Sequence, residues 1–518
     1  MFCDTAFYVQ FSVISQSRGI SCFMKANTMS LIHITDLTFA HDGAEKLFDN
    51  VTLQIDTRWK IGLIGRNGRG KTTFFNLLLG HYEYGGKIQS PLAFDYFPYQ
   101  VPDRNCLTCE IIGAICAEYE PWQLECELSL LGVLPDVLQR PFDTLSGGEQ
   151  NKTLLAALFL HENRFLLIDE PTNHLDLKGR EIVAEYLAGK NGFILISHDR
   201  ALLDSCVDHV LSIKKCDFEL QKGNFSTWQQ NREFRERFEL SENRKLKKNI
   251  KRLGEAAQRT ANWSDKIERE KTGHGPVDRG YIGHQSAKMM KRSKSTEKNR
   301  QKALDEKSQL LQNIETDEKL LITTLKHHAK RLVDFEKLAI QFGERPVFEN
   351  LSMTIEAGER IALCGKNGCG KSSLLKLITG DDIPHSGHVR IASGLVISHV
   401  PQDGSFLSGK MRDLIESQSI DEPLFKAILR NLGFSREHFE NDLAELSAGQ
   451  KKKILLAQSL SKPAHLYVWD EPLNYIDVIS RMQIERTILE CQPTLVFVEH
   501  DRTFVETVAT KCIELAAP

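Results

Sequence analysis

Two glycine-rich runs in the sequence have the residue types needed to hold a polyphosphate. Each fits the pattern G-x-x-x-x-G-K-[S/T]; the first covers Gly65–Thr72 and the second covers Gly365–Ser372. In such a loop the glycines let backbone N–H groups approach the phosphate oxygens, and the positive end of the following helix adds to the field. We expect Lys71 and Lys371 to reach the terminal phosphates. The pattern therefore predicts two sites for a nucleoside triphosphate.

An acidic pair follows each glycine-rich run at the end of an apolar stretch. The first pair is Asp169 and Glu170, and the second is Asp470 and Glu471. A carboxylate at a strand end can hold Mg²⁺, which prefers oxygen ligands, and its neighbour can position a water molecule for attack on phosphorus. We therefore predict that Glu170 and Glu471 are catalytic. The predicted Mg²⁺ ligands are Thr72, Ser372, Asp169 and Asp470.

The landmarks occur twice in the same order. Glycine-rich runs, acidic pairs and the histidines after the next apolar strand recur at offsets of 300 to 302 residues. Each copy contains continuous apolar runs, such as Phe193–Ile196 and Leu495–Val498, which are typical of parallel strands buried on both faces. Helical patterns lie between these runs. Such alternation of strands and helices predicts nucleotide sites at the carboxyl ends of the strands. The sequence thus predicts an α/β protein with two tandem P-loop ATPase domains.

Taken together, the runs resemble the ATP-binding cassette (ABC) family. Leu145–Gln150, with the sequence Leu-Ser-Gly-Gly-Glu-Gln, stands where that family has its signature motif, and Ser447–Gln450 repeats it in the second copy. The resemblance implies ATP hydrolysis as the activity. It also implies that two cassettes of one chain pack head to tail, so that each glycine-rich loop binds ATP against the signature of the other cassette. The protein would then be a monomer with an intramolecular cassette pair.

The resemblance assigns further residues by their position in the motifs. His198 and His500 each follow an apolar strand and would contact the γ-phosphate as catalytic residues. Gln100 and Gln402 follow Pro-containing runs and match the glutamine loop, which senses Mg²⁺ and the attacking water. We therefore add both glutamines to the predicted nucleotide and Mg²⁺ ligands.

The resemblance to the ABC family also implies a ring that stacks on adenine, 23 or 24 residues before each glycine-rich loop. His41 and Phe342 occupy these places, and Phe39 is an alternative to the unusual His41. The full set of residues implied to bind nucleotide is His41, Gly65, Arg66, Asn67, Gly68, Arg69, Gly70, Lys71, Thr72, Thr73, Gln100, Ser146, Gly147, Gly148 and Glu149 in the first copy, and Phe342, Gly365, Lys366, Asn367, Gly368, Cys369, Gly370, Lys371, Ser372, Ser373, Gln402, Ser447, Ala448, Gly449 and Gln450 in the second.

The second copy departs from the family pattern at two places. Ala448 replaces the usual first glycine of the signature, and Tyr475 replaces the histidine found at His174 of the first copy. A methyl group beside the γ-phosphate is expected to slow the site built on Lys71. The two ATP sites are therefore predicted to be unequal.

The segment between the two copies has a different composition. From residue 243 to 300 it contains 17 Lys and Arg against 6 Asp and Glu, in a chain whose net charge is −3. Apolar residues recur at helical spacing, and we expect two long antiparallel helices joined by a loop near 271–284. Those apolar residues are Phe234, Phe238, Leu246, Ile250, Leu253, Ala257, Ala303, Leu310, Ile314, Leu321 and Leu325. A basic hairpin with Trp263 and Tyr281 suits structured RNA.

Tandem cassettes joined by a basic helical linker resemble the ABC-F proteins. The runs Val277–His284, Lys288–Lys294 and Glu471–Asp477 look like the subgroup that confers resistance to lincosamides, streptogramin A and pleuromutilins. That resemblance implies an ATP-bound form in the ribosomal exit site, with large-subunit rRNA and peptidyl-site tRNA as partners. It also implies release of the protein after hydrolysis, and a cytoplasmic location.

Other functions remain open at this point. A housekeeping ABC-F translation factor would share every motif, and the ATPase subunit of a drug exporter would share the cassettes but gives no role to a basic hairpin. A DNA-repair or chromosome-organising ATPase also combines cassettes with helical inserts. Along the chain we expect an N-terminal extension at 1–28, either a disordered tail or residues before a start at Met24 or Met29. We then expect an ATPase domain at 29–222, the basic linker at 223–330 and a second ATPase domain at 331–518.

Overall fold

The computed structural model describes residues 30–515 with several gaps. Those gaps are residues 42, 44–45, 162, 174, 215, 239–240, 243–244, 321, 343–344, 367 and 435–436, and all residues from 246 to 319 except 284, 288, 291, 295, 298 and 302. The predictions for 1–28 and for the loop near 271–284 therefore concern residues outside the described part of the chain, apart from residue 284.

The first half is built on two sheets. A six-stranded sheet has the order β5-β6-β7-β3-β8-β9, and a three-stranded antiparallel sheet has the order β2-β1-β4. The strands are β1 (Leu31–Phe39), β2 (Phe48–Asp56), β3 (Lys60–Ile64), β4 (Gly85–Gln89), β5 (Ala93–Phe97), β6 (Arg164–Asp169), β7 (Phe193–Ile196), β8 (His209–Ile213) and β9 (Phe218–Lys222). The helices are α1 (Lys71–Leu78), α2 (Thr108–Ile115), α3 (Pro121–Leu130), α4 (Gly147–Leu158), α5 (Leu177–Ala188) and α6 (Arg200–Cys206).

The second half repeats this plan. Its five-stranded parallel sheet has the order β14-β15-β16-β12-β17, and its antiparallel sheet has the order β11-β10-β13. The strands are β10 (Arg331–Phe342), β11 (Arg345–Glu356), β12 (Arg360–Cys364), β13 (His385–Ile391), β14 (Ile397–Val400), β15 (Leu466–Asp470), β16 (Leu495–Val498) and β17 (Lys511–Glu514). The helices are α8 (Lys371–Thr379), α9 (Met411–Ser417), α10 (Glu422–Asn431), α11 (Ala448–Ser461), α12 (Val478–Cys491) and α13 (Arg502–Val508).

The central strands have the burial that their apolar sequences predict. Every residue of β7 and of β16 is buried, because helices or a second sheet cover both faces of the parallel sheet. β6 and β15 lie beside them in parallel register and end at Asp169 and Asp470. The predicted fold class is confirmed, and the acidic pairs lie at the carboxyl edges of both sheets.

The two halves also share apolar packing. Val478, at the start of α12, belongs to the core that is otherwise formed by the first half, and Ile479 and Met482 pack against the same core. The helix that follows the second acidic pair is therefore held against the opposite half.

The chain leaves the first half through helix α7 (residues 225–238). Phe225 and Trp228 are buried at its start, whereas Phe234 and Phe238 are 68% and 59% exposed. The described residues 284, 288, 291, 295, 298 and 302 are helical and exposed. The predicted helical spacing does not extend to Leu325, whose N–H group donates to the carbonyl oxygen of Ala464 at 2.9 Å in an extended segment. Tertiary pairing with the second half overrides the helical pattern there.

No helix in the described part of the chain is long and apolar enough to cross a membrane.

Candidate nucleotide sites between the two halves

Both glycine-rich runs form loops between a central strand and a helix. Residues 65–70 join β3 to α1, and the described residues of 365–370 join β12 to α8. We call Gly65–Thr72 the first P-loop and Gly365–Ser372 the second P-loop. Gly70 has φ of +88°, and a Cβ atom there would lie 2.6 Å from the Leu47 side chain. Gly370 has φ of +92° and equally little space, so the last glycine of each pattern is required by backbone conformation and by packing.

Each P-loop lysine is buried and turned toward its own loop. The Nζ atom of Lys71 donates to the carbonyl oxygen of Gly65 at 2.8 Å and to Oδ1 of Asn67 at 3.2 Å. Lys371 donates to the carbonyl oxygen of Gly365 at 2.8 Å. Burial lowers the pKa of Lys71. The ammonium groups are thus presented at the centre of each loop, from where they can neutralise phosphate oxygens.

The predicted Mg²⁺ ligands come together in both halves. The hydroxyl of Thr72 donates to Oδ2 of Asp169 at 3.2 Å. Asp470 is 4% exposed, and its Oδ1 atom has no hydrogen-bond partner. Burial raises the pKa of both aspartates, and a hydrogen bond with Ser372 opposes this rise at Asp470. A buried carboxylate oxygen without a partner, beside a hydroxyl, fits a hard cation such as Mg²⁺.

The predicted glutamines line two clefts at the strand ends. Gln100 borders a cleft of about 750 Å³ together with Asp169 and Glu170. Gln402 borders a cleft of about 780 Å³ together with Glu471 and His500. Each glutamine therefore lies near the acidic pair of its own half.

Each predicted catalytic glutamate lies beside the predicted histidine of its own half. Nε2 of His198 lies 3.3 Å from Oε1 of Glu170, and Nε2 of His500 lies 3.4 Å from Oε1 of Glu471. Both glutamates have a left-handed backbone, with φ of 50° and 48°. A non-glycine residue in this region is strained, and such strain is concentrated at functional sites.

The electrostatic environments of the two glutamates differ. Burial raises the pKa of Glu170 to about 8, and the neighbouring Asp169 adds to this rise. The hydrogen bond from His500 lowers the pKa of Glu471 instead, although burial opposes it. Burial also lowers the pKa of His198 well below its usual value. At neutral pH the first half therefore favours a protonated glutamate, and the second half favours an ionised one.

Both signature runs form the first turn of a helix. Ser146 caps α4, because its Oγ atom accepts from the backbone of Glu149 at 3.3 Å while Glu149 accepts from the backbone of Ser146 at 2.8 Å. Ser447 and Gln450 make the same reciprocal pair at the start of α11. The signature pattern is thus also a capping box. It fixes a helix N-terminus, where backbone N–H groups are available to an anion.

The first P-loop lies against the second half of the chain. The backbone N–H of Asn67 donates to Oδ2 of Asp477 at 3.1 Å, and its side-chain amide donates to the carbonyl oxygen of Tyr475 at 2.8 Å. Arg66 donates to the carbonyl oxygen of Asn431 at 3.2 Å. The 780 Å³ cleft is lined by both halves, including Asn67, Gly68, Glu170, His198, Ser447, Ala448, Gly449 and Gln450. The first P-loop and the second signature therefore face each other in this cleft, and we call that part of it site 1. The same cleft continues to Gln402, Glu471 and His500 of the second half, which we assign to site 2.

Site 2 would combine the second P-loop with Ser146–Gln150. Gly147 and Gln150 line the 750 Å³ cleft together with Gln100 and Asp169 of their own half. The described residues of the second P-loop are not among those that line this cleft, so the pairing of this signature with the second P-loop stays a prediction.

Charged residues that the sequence analysis did not single out also cross between the halves. Arg481 donates to the carbonyl oxygen of His198 at 3.1 Å and lies 3.3 Å from Asp501 in its own half. Arg200 lies 2.7 Å from Glu485. Comparison of the two copies could have identified both arginines. Arg481 aligns with Arg180 of the other copy at an offset of 301 residues, and Arg200 aligns with Arg502 at an offset of 302.

The predicted adenine platform of the first half is a cluster of three rings. His41 is exposed and lies edge-on to Phe39, with ring centroids 4.9 Å apart. Tyr82, which the sequence analysis missed, lies 5.5 Å from Phe39 and 5.8 Å from His41. Phe39 is only 7% exposed, which favours the outer rings as the surface for a base. Phe342 ends β10, and its side chain is not among the described ones.

The two departures from the family pattern are neighbours in space. Tyr475 has φ of 64°, and a Cβ atom at Gly449 would lie 3.0 Å from the Cβ of Tyr475. Tyr475 therefore packs over the second signature beside Ala448, on the side that faces the first P-loop.

The fold positions two P-loops, two acidic pairs at strand ends and a capped helix that shares a cleft with the opposite P-loop. These features define an ATPase with two ATP-binding cassettes. The family model described as ABC transporter matches residues 48–173 and 348–474.

The chain is similar to several proteins over most of its length. It is 30% identical to the ribosome protection protein VmlR of Bacillus subtilis, over 89% of this chain and 82% of that protein. It is 29% identical to the ATP-binding protein Uup of Caulobacter vibrioides, over 92% of this chain and 75% of that protein. The chain belongs to the ABC-F family of ATP-binding cassette proteins.

Solved structures with the same fold are more distant. One comes from the crystal structure of the complex of archaeal ribosomal stalk protein aP1 and archaeal ribosome recycling factor aABCE1. It has a TM-score of 0.59 and 20% identity, and the match covers 92% of this chain and 87% of that one. This likeness shows the arrangement of tandem cassettes.

Proposed function

We propose that this ATPase acts on the ribosome. In its ATP-bound form it would enter the exit site, place the basic linker against large-subunit rRNA and peptidyl-site tRNA, and protect the peptidyl-transferase centre from antibiotics. ATP hydrolysis would then release it. The observation that carries the proposal is the similarity to VmlR, named a ribosome protection protein, over 89% of this chain. The excess of 17 basic over 6 acidic residues from 243 to 300 supports contact with RNA phosphates.

The chemistry at site 1 follows from the side chains that line it. Lys71 and the N-terminus of α11 would neutralise the phosphates from opposite sides, and the stabilisation of developing charge is the main task in phosphoryl transfer. Mg²⁺, when bound by Thr72 and Asp169, would neutralise charge on the β- and γ-phosphate oxygens. Glu170 would orient the attacking water, and His198 would contact the γ-phosphate.

The contacts between the halves explain how ATP could hold them together. Asn67 of the first P-loop already bonds Asp477 and Tyr475, so a triphosphate in site 1 would add its own contacts to an existing interface. Because ATP then contacts both halves, its cleavage removes interactions that join them. The chain would work as one molecule with an internal pair of cassettes, in the cytoplasm where ribosomes are found.

The proposal is tested with a variant that binds ATP but does not cleave it. The double substitution Glu170→Gln and Glu471→Gln keeps the shape of both glutamates and removes the carboxyl groups that could accept a proton from water. We expect this variant to co-sediment with 70S ribosomes in the presence of ATP and to inhibit growth when expressed. The double variant remaining free of ribosomes would overturn the proposal. Lys71→Ala with Lys371→Ala is the matched control, since loss of both P-loop lysines should prevent ATP-dependent association.

A housekeeping translation factor is the second candidate. Uup of Caulobacter vibrioides covers the chain as fully as VmlR does, at 29% identity, and is named only an ATP-binding protein. The two candidates differ in drug susceptibility. A protection factor should raise the inhibitory concentration of lincosamides, streptogramin A or pleuromutilins when it is expressed in a sensitive host, whereas a housekeeping factor should not. Lys71→Ala with Lys371→Ala serves there as the inactive control.

A further inference from the structure

Lys452 is a buried lysine on α11, five residues after Ser447. Its ammonium donates to three backbone carbonyl oxygens, those of Pro401 at 2.8 Å, Gln402 at 3.3 Å and Asp470 at 2.7 Å. An ammonium group has three N–H donors, so each can have an acceptor here. This side chain therefore ties the helix that begins with the second signature to the glutamine loop and to the end of β15.

The first half is connected differently at the same position. Asn151 lies 301 residues before Lys452, on α4. Its side-chain amide donates to the carbonyl oxygens of Pro171 at 2.7 Å and Asn173 at 3.1 Å. In that half the helix of the signature is tied to the loop that follows the acidic pair.

Glu499 is a second, complementary difference between the halves. It stands where the first half has Ser197, directly before the predicted catalytic histidine. Its Oε1 atom accepts from the backbone N–H of Leu473 at 2.7 Å. In the second half, therefore, Glu499 rather than a residue of the signature helix holds the loop after the acidic pair. Burial lowers the pKa of Lys452, and the charge of Glu499 opposes this effect, so the two exchanges place a compensating cation and anion in the same interior.

The position of α11 gives the lysine a connection to both sites. The first turn of α11, from Ala448 to Gln450, lines the site 1 cleft together with Asn67 of the first P-loop. Gln402, whose carbonyl oxygen accepts from Lys452, lies beside Glu471 of the second acidic pair, which we assign to site 2, and it also borders the cleft that contains site 1. A helix is stiff over the two residues, little more than half a turn, that separate Gln450 from Lys452. A shift of the glutamine loop at site 2 would therefore move the signature at site 1.

We propose that Lys452 is a positioning residue that couples the two ATP sites, by linking the glutamine loop of site 2 through α11 to the signature of site 1. The proposal rests on the head-to-tail ATP sites of the proposed function, but not on binding to ribosomes. Hydrolysis is therefore measured without ribosomes, and failure of the ribosome hypothesis would leave the result intact.

The test compares site 1 with site 2 filled and with site 2 empty. In a Glu471→Gln background only site 1 hydrolyses ATP, while site 2 still binds it. Adding Lys371→Ala empties site 2. The ratio of the two kcat values, measured by phosphate release, reports how far site 1 depends on ATP at site 2. Allosteric coupling between two sites is typically five- to 150-fold, so we expect a ratio of at least about fivefold.

Lys452→Met is then introduced into both proteins of the comparison. Methionine keeps the length of the side chain and removes all three donors, so we expect the ratio to fall to about one. A purely structural lysine would lower both kcat values by the same factor, and an unchanged ratio would overturn the proposal. So would a ratio of about one before Lys452 is changed.

Two further variants keep the test decisive. Lys451→Met removes the neighbouring lysine, whose Nζ donates to the carbonyl oxygen of Ala444 at 3.1 Å, and should leave the ratio unchanged. If Lys452→Met does not fold, Lys452→Asn combined with Glu499→Ser installs the residues of the first half at both positions and removes both charges together. This pair should also bring the ratio to about one, and a retained ratio of fivefold or more would contradict the proposal.

Discussion

The guanidinium group of Arg481 is the best place to test whether the two halves act together. It is buried in α12 and donates to the carbonyl oxygen of Ile476 at 2.9 Å, lies 3.3 Å from Asp501, and crosses to the carbonyl oxygen of His198 at 3.1 Å. Arg180 is its counterpart in the first half, where it donates to the carbonyl oxygen of Leu175 at 3.2 Å and to Asp199 at 3.3 Å.

The expected losses of unfolding free energy and of hydrolysis rate follow from these contacts. Arg481→Ala leaves Asp501, whose side chain is 1% exposed, with Arg200 at 3.8 Å as its nearest cation. Removal of one partner from a buried ion pair costs about 3–5 kcal/mol of unfolding free energy, and Arg180→Ala should cost a similar amount in the other half. The bond from Arg481 to His198 is additional. A hydrogen bond from a charged group contributes about 1.5–3 kcal/mol, which corresponds to roughly ten- to a hundredfold in a rate or equilibrium constant.

The assay is ATP hydrolysis at site 1 in the Glu471→Gln background, together with urea unfolding of each variant. We expect both arginine variants to unfold at lower urea concentration. We expect Arg481→Ala to lower kcat/KM at site 1 at least about tenfold more than Arg180→Ala does. Equal losses in the two variants would refute the expected tenfold difference, even though Arg180 also lines the site 1 cleft.

Three further predictions concern the ATP sites. Glu170 must be ionised to accept a proton from water, and burial raises its pKa to about 8. The kcat of site 1, measured in the Glu471→Gln variant, should therefore rise about tenfold from pH 7 to pH 9. Site 2 kcat in Glu170→Gln should stay flat over that range, and equal pH profiles would contradict the assigned environments. Gly70→Ala places a Cβ atom 2.6 Å from the Leu47 side chain at a φ of +88°, so it should abolish ATP binding at site 1. Binding is measured with a fluorescent ATP analogue in the Lys371→Ala background. Gly68→Ala is the control: Gly68 has a φ of +79° but open space around it, so this variant should retain more ATP binding. Ala448→Gly should raise site 1 hydrolysis, and an unchanged rate would count against a steric role for the methyl group.

Local sequence patterns were enough to predict the parts of each half. A P-loop is specified by glycines within eight residues, as Gly70 and Gly370 show, because only glycine tolerates the left-handed backbone and the close packing found there. The strands β7 and β16 were readable as continuous apolar runs because both of their faces are buried. The constant offset between the copies then predicted two equivalent domains.

The same patterns failed where distant parts of the chain decide the outcome. The helical spacing that includes Leu325 was overruled by pairing with Ala464. Tyr82 was missed because it joins Phe39 and His41 only when the chain folds back.

The sequence by itself determined that this chain has two P-loops, two acidic pairs and two signature motifs, because each of these is specified by residues close together in the chain. Only the tertiary structure decided which residues connect them. Arg481 reaches His198 across 283 positions of the chain, and Lys452 reaches the carbonyl oxygen of Gln402 across 50. Such contacts depend on how helices pack against a sheet or on the opposite half, and no local pattern of residues encodes that packing.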